Sequence, residues 1–477
     1  MMKRNEEKKY DKVKILIICL LIYSILSWFF QSYTYQSGEL VSKGWFRVGL
    51  YDLVAVIFSG ITYAIKDVIY ILAVGGTYGI LSKSESYKRI VSRASNFVKT
   101  HSELVFALVT FIVGLYTAIT SNIITLFILV PFIMTIFLKS GHDKLTAVSA
   151  SFGGLFIGYL GQIVGTYGNE FLYRYLSVSA SSDVIVKLVL FLIAYVLFNV
   201  FGILHLKKNK NVSEEESDMF AVEEPKKIVK RSEQIMTWPT VVVSIMVIII
   251  TMLGYIPWID AFGITFFDKV HSAVMSFAPG NIRVMETLIG STITALGAWE
   301  DYLPVIFMML VLIIVVVITN RMSFSDLCKN YGEGIKKVFG VAIMYGLAYS
   351  FLYLTSAYSW STTLVDFFIN PKSYNIIFIM LAIIAAMLAI ITCGDPLYSG
   401  YHYGQYLSAI FTVNMGVTAI LWRVGSGLGL LVGPTSFLLL AALTYADVPY
   451  KNWLKYIWKF ALTFFIATVL VLGVVTM

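Results

Sequence analysis

The chain has 477 residues, 58% of them hydrophobic and only 13% charged, with a formal net charge of +8. A water-soluble protein of this length needs far more polar surface, and a transmembrane barrel would show short alternating segments in place of long apolar runs. The composition predicts an all-α polytopic membrane protein whose excess Lys and Arg serve topology, with no nucleic-acid partner and with the lipid bilayer as its surroundings.

A basic tail, residues 1–12, leads into an apolar run at 13–30. That run imitates a signal peptide, but no small-x-small cleavage site follows it, so it reads as a retained span. Further spans are expected at 63–82, 145–175 (long and Gly-broken), 184–206, 237–256, 303–319, 340–357, 424–445 and 456–476, since about 20 apolar residues cross the hydrocarbon core. The basic stretches 84–100 and 323–337 read as surface helices. Two apolar regions exceed one crossing. Residues 104–138 carry no charge and break at Thr120-Ser121-Asn122; residues 375–422 carry one, Asp395, inside Cys393-Gly394-Asp395-Pro396. Both fit re-entrant hairpins, which gives about nine spanning helices plus two re-entrant hairpins. With that reading, 26 of the 36 Lys and Arg fall in segments on one side and 5 on the other. The imbalance places the N-terminus in the cytoplasm of a cytoplasmic (inner) membrane, multi-pass. Residues 207–236 hold seven basic and seven acidic residues, including Glu214-Glu215-Glu216, and read as a solvated cytoplasmic linker.

A shift of 274 residues aligns Asp52 with Asp326, Gly60 with Gly334 and Ile69 with Ile343, carries Ser121-Asn122 onto Asp395-Pro396, and carries Gly153 onto Gly427. A Gly-rich span follows each hairpin. The expected organisation is a first repeat at 13–206, the linker 207–236, a connecting helix and outside segment at 237–302, and a second, inverted repeat at 303–477. Such a repeat lets one site face either side of a membrane.

Polar residues that break the backbone at bilayer depth are costly and mark binding sites. Ser121, Asn122 and Thr125 offer hard oxygen ligands for a monovalent cation or a substrate carboxylate; the alternative is a turn capped by its own side chains. Asp395 suits a sodium ion, a proton or a cationic substrate, unless it is a solvated turn residue. Ser399, Tyr401, His402 and Tyr403 are substrate contacts or an interfacial belt. Gln162, Thr166 and Asn169 in the first half, and Ser426, Thr435 and Ser436 in the second, sit where broken spans unwind and are substrate-site candidates. Ser121, Asn122, Gly153, Asp395 and Gly427 are candidate cation-site positions. Lys66-Asp67 reads as a self-paired structural couple, and Glu286, Glu300 and Asp301 carry no specific signal. Three single cysteines (Cys19, Cys328, Cys393) without CxxC spacing exclude a metal site beyond a coupling Na⁺.

The pattern fits a secondary active transporter of a small carboxylated metabolite (an amino acid, short peptide or dicarboxylate), coupled to Na⁺ or H⁺ or running by exchange, with no other cofactor. The alternative is a basic amino-acid antiporter with Asp395 as counter-charge. A membrane-embedded enzyme lacks HExxH or GxSxG chemistry, and a channel lacks charged rings.

The stretch Gly433-Pro434-Thr435-Ser436, then Val448-Pro449-Tyr450-Lys451-Asn452-Trp453-Leu454-Lys455, resembles the ending of YfcC-like carriers. These belong to the ion-transporter superfamily, alongside anaerobic dicarboxylate carriers and p-aminobenzoyl-glutamate transporters. Gly75-Gly76-Thr77-Tyr78-Gly79-Ile80 resembles the early glycine element of that family, and Ser121-Asn122 lies at its first hairpin tip. The resemblance implies a homodimeric elevator-type carrier of organic anions or amino acids. The second tip departs from the family's Ser-Gly-Ser-Gly pattern, and its acid favours a substrate with a positive group.

Overall fold

A computed structural model describes residues 11–36, 39–209, 219–225, 238–369, 375–411 and 414–476. Most of the basic tail, the Glu214-Glu215-Glu216 run and parts of the 207–236 linker lie outside the described residues.

In chain order, α1 (Asp11–Leu26) is followed by strands β1 (Ser32–Gln36) and β2 (Glu39–Gly44). Next come α2 (Leu50–Tyr63), α3 (Ile65–Leu81), α4 (Glu85–Thr120), a 3-10 turn (Thr125–Leu129), α5 (Val130–Lys139), α6 (Lys144–Gly161), α7 (Glu170–Leu176) and α8 (Val184–Lys208). The middle of the chain forms α9 (Trp238–Tyr255), three short helices α10 (Trp258–Phe262), α11 (Phe266–Ser276) and α12 (Val284–Ile289), and α13 (Leu303–Asn320). The remainder is α14 (Phe324–Ala348), α15 (Ser350–Ala357), α16 (Ser361–Ile369), α17 (Ile376–Cys393), α18 (Pro396–Ile410), α19 (Met415–Val432), α20 (Phe437–Tyr445) and α21 (Tyr450–Thr476). Eight helices among the described residues are long and apolar enough to cross a membrane, or nine if α2 and α3, bent by 60°, count as one span. The chain is a helical, polytopic membrane protein.

Three local expectations are refined and one is corrected. Within the all-α fold sits a short β-hairpin: β1 and β2 pair antiparallel, with Thr34 opposite Val41 and Tyr35 opposite Leu40. The alternation Ser32-Tyr33-Thr34-Tyr35 of small polar and aromatic residues suits a strand, and Ser32 and Tyr35 are buried there. The stretch 84–100 is helical from Glu85 and is set off from the apolar remainder of α4 by a kink at the non-helical residue His101. The stretch 323–337 is helical from Phe324 and exposed or half-buried except at Gly334. It opens α14, and a Cβ on its Gly334 would stand 2.2 Å from the Gly75 carbonyl oxygen and 2.8 Å from the Gly79 Cα on α3. Lipid tails are as apolar as leucine, so helices in a bilayer gain most from close contact of small residues, and this crossing uses glycine on both sides. Finally, part of the linker is docked: Phe220 is fully buried.

The α3–α14 crossing also relates the two halves. A Cβ on Gly60 would stand 2.5 Å from the Ser350 amide nitrogen. Shifting Gly60 by 274 gives Gly334, and shifting Gly75 gives Tyr349, beside Ser350. Each half thus presents the same glycine to the same stretch of the other, the reciprocal contact that two-fold relatives make. The same shift carries α2 and α3 onto α14 and α15, α6 onto α19, and α8 onto α21 with ends shifted by a few residues.

Candidate functional site

Both apolar hairpins turn by one device. The arm α4 ends on Ser121 in the left-handed region (φ 59°), whose amide donates to the Thr117 carbonyl at 2.7 Å. Asn122 follows, and its Oδ1 accepts the amides of Ile124 (3.2 Å) and Thr125 (3.1 Å). In the other half α17 ends on Gly394, also left-handed (φ 74°), whose amide donates to Ile390 O at 2.7 Å. Asp395 follows, and its Oδ1 accepts the Leu397 amide at 2.9 Å, with Pro396 as the first residue of α18. Proline there forfeits only an amide that the helix start leaves unused. The backbone therefore pairs Ser121 with Gly394 and Asn122 with Asp395, one residue earlier than the 274 shift places them. The return from the first tip is steadied from α3: Tyr70 donates to Thr125 O (2.6 Å) and Tyr78 to Ile128 O (2.7 Å). Pro131 supplies no amide to this stretch, so side-chain hydroxyls complete it.

Ser121 and Asp395 meet at one cavity of about 460 Å³. Its wall is acidic: Asp67, Glu170, Glu300, Asp301 and Asp395 line it, against one cation, Lys66. It is also aromatic, with Tyr63, Tyr159, Tyr167, Tyr302, Tyr345 and Tyr349 contributing. Asp395 lies within electrostatic range of Asp67 and Glu170. The Asp67 carboxyl faces the hydroxyls of Tyr302 and Tyr345. No three acidic, His or Cys side chains converge at metal-holding spacing among the described residues. The Ser121 hydroxyl, 1% exposed, has no hydrogen-bond partner.

Behind this wall lies Arg423, in the centre of α19 and buried to 2% exposure. It donates to both the side-chain and backbone oxygens of Gln162 and to the Tyr173 hydroxyl. Among the described residues no carboxylate forms an ion pair with it. Gln162 caps the C-terminal end of α6 with a positive φ of 28°. A guanidinium at that point compensates the carbonyl end of the half-helix, where the helix dipole is negative. Lys187 and Arg423 both lie over the Tyr173 ring, at 5.6 and 5.4 Å from its centroid. Tyr159 on the cavity wall lies within range of both Arg423 and Asp395. The second half thereby pins the break of the first half.

The expected residues divide accordingly. Ser121 and Asp395 line the cavity. Asn122 and Thr125 are buried beside it and serve the turn. Gln162 and Asn169 join Tyr159 in one network, with Asn169 Nδ2 donating to Gln162 Oε1 (3.2 Å) and to the Tyr159 hydroxyl (3.3 Å). Thr166 is exposed and off the wall. Ser399 accepts from the Trp422 indole at 3.2 Å, fixing α18 to α19. Thr435 donates to Ile391 O at 2.7 Å, and Ser436 caps α20 by accepting the Leu439 amide at 3.2 Å. Ser426 is buried within α19. Gly153 and Gly427 stand in helix contacts rather than at the cavity: a Cβ would meet the Phe198 ring at 2.4 Å and Leu160 at 2.8 Å. Lys66 and Asp67, read as a self-paired couple, line the cavity instead, as do Glu300 and Asp301. Asp67 faces the tyrosine hydroxyls of other elements while Lys66 stays within electrostatic range. His402 bonds Thr362 (2.9 Å), and Tyr401 is half exposed; neither reaches the cavity.

The family described as DcuC, C4-dicarboxylate anaerobic carrier, matches residues 11–477. No curated protein matches the chain. Among solved structures, the YdaH transporter of Alcanivorax borkumensis is similar over 98% of this chain and 98% of its own, at 12% identity and a TM-score of 0.38. MtrF of Neisseria gonorrhoeae, whose structure is described as illuminating a class of antimetabolite efflux pumps, is similar over 98% and 97%, at 14% identity and a TM-score of 0.39.

Proposed function

The chain belongs to the DcuC family of C4-dicarboxylate anaerobic carriers, and we propose that it is a secondary active transporter of a small carboxylated metabolite that binds between the two hairpin tips. The single observation that carries this reading is the meeting of Ser121 and Asp395, from opposite halves, at one cavity. Broken backbone at bilayer depth is tolerated where it encloses such a site. Transport proceeds by alternating access, one repeat moving against the other in the elevator manner. Na⁺ or H⁺ coupling, or exchange, drives it, with Ser121 and Asp395 offering hard oxygens for the cation. The protein sits in the cytoplasmic membrane with its N-terminus inside and works as a homodimer, and the resemblance of its C-terminal motif supports a kinship with YfcC-like carriers.

A second reading draws on the character of the wall. Five acids against one lysine disfavour a bare dianion, and tyrosine faces attract cations. The substrate then carries an ammonium or guanidinium group beside its carboxylate, as a basic amino acid does, and Asp395 is its counter-charge. Uptake into proteoliposomes separates the readings, with labelled arginine and labelled succinate tested with and without a sodium gradient. Arginine uptake, driven by a gradient or by internal arginine, is the expected result for the second reading. Succinate uptake supports the first alone. Ion conductance without saturable uptake of either overturns both.

A further inference from the structure

The docked part of the linker joins the first hairpin to the helices it packs beside. Phe220 is fully buried, with its ring 5.8 Å from that of Tyr78 on α3 and the Lys337 ammonium of α14 over its face at 5.1 Å. Tyr78 is also the residue that donates to Ile128 O in the returning arm of the hairpin. Two acids follow. Glu223 pairs with Lys88 near the start of α4 at 3.0 Å, and Glu224 pairs with Lys139, the last residue of α5, at 3.0 Å. The Lys139 ammonium also donates to Val222 O at 3.2 Å, at the end of a helix whose terminal carbonyls favour a cation.

We propose that residues 219–224 form a releasable latch that clamps the end of the first hairpin onto the α3–α14 frame. Phe220 is the anchor and the two ion pairs are the catch. The division of labour follows from burial. A fully buried aromatic ring holds its place by packing. Glu223 and Glu224 are 83% and 75% exposed, so their pairs are weak, screened by salt and quickly broken. The segment touches the frame through Tyr78 and Lys337 and the hairpin through Lys139, so the hairpin end can separate from the frame only if one of these contacts opens. Nothing in this contact involves the cavity, so the latch can be tested without a transported substrate.

The test is hydrogen exchange by mass spectrometry on the full-length protein in nanodiscs. Phe220→Ala is expected to speed amide exchange in 219–225 and in the last turn of α5 by at least about tenfold, while α18 in the other hairpin keeps its rate. Lys139→Glu is expected to speed the α5 end alone, Glu224→Lys added to it is expected to restore protection, and about 0.5 M salt is expected to mimic Lys139→Glu in the wild type. If Phe220→Ala does not fold, the charge swap decides by itself. Unchanged exchange at the α5 end in Lys139→Glu, or a double variant no better protected than the single, overturns the latch.

Discussion

The two hairpin tips perform one structural task with different chemistry. Each arm ends on a left-handed residue, and each next residue caps the chain that follows through a side-chain oxygen bonded to the amide two positions on. In the first tip the cap is Asn122, in the second Asp395. An amide and a carboxylate of nearly equal shape do this work about equally well. The first tip is therefore an internal control for the second: the fold of this turn does not need a charge. Asp395 nonetheless puts an ionisable group at a largely buried position among other acids, where such groups are retained for function. The comparison also separates Ser121 from Gly394. Gly394 adopts its left-handed conformation freely, whereas Ser121 holds it against its side chain and presents an unpartnered hydroxyl to the cavity.

Four substitutions press on this contrast. The largest effect is expected from Asp395→Asn, which copies the first tip into the second: transport falls at least about 100-fold while the melting temperature stays within the change of about 0.5 kcal/mol typical of a neutral substitution. Arg423→Met is expected to lower stability by about 1–3 kcal/mol in thermal unfolding, because the Gln162 carbonyl is left buried without a donor. Gly394→Ala should lose roughly 1–2 kcal/mol to the left-handed backbone. At the equivalent place in the first tip, Ser121→Gly should gain up to about 1 kcal/mol while weakening substrate binding, a split between stability and affinity that thermal shift and uptake KM can resolve. If Ser121→Gly and Gly394→Ala moved stability in the same direction, the equivalence of the tips would be wrong.

Much of this molecule was legible in its sequence. The long uncharged runs announced membrane helices, and their polar midpoints announced the two turns, because lipid offers no partner for a freed peptide group. The cavity wall was harder to read. Tyr302 and Tyr345 lie in different segments from the tips, and their convergence depends on how helices pack rather than on local pattern. Lys66-Asp67 read as self-contained, because adjacency in sequence does not show that both side chains also line the cavity. Arg423 gave a usable signal, an arginine in the middle of a Gly-rich apolar helix, which the side-to-side charge count does not use. The packing role of Gly334 was present in the Gly60–Gly334 correspondence, whereas Phe220 stood in a linker whose charge pattern argued for water.

The most direct test of the central claim is a thermal-shift measurement on purified wild type and Asp395→Asn, each with L-arginine and with succinate. Binding to the native state at about 100 times Kd adds about 2.7 kcal/mol of apparent stability. The expected result is equal melting of the two proteins without ligand, a shift of the wild type with one of the two ligands, and no such shift in the variant. Equal shifts of both proteins by the same ligand would contradict the account, because the charge at the second tip would then do nothing that the amide at the first does not.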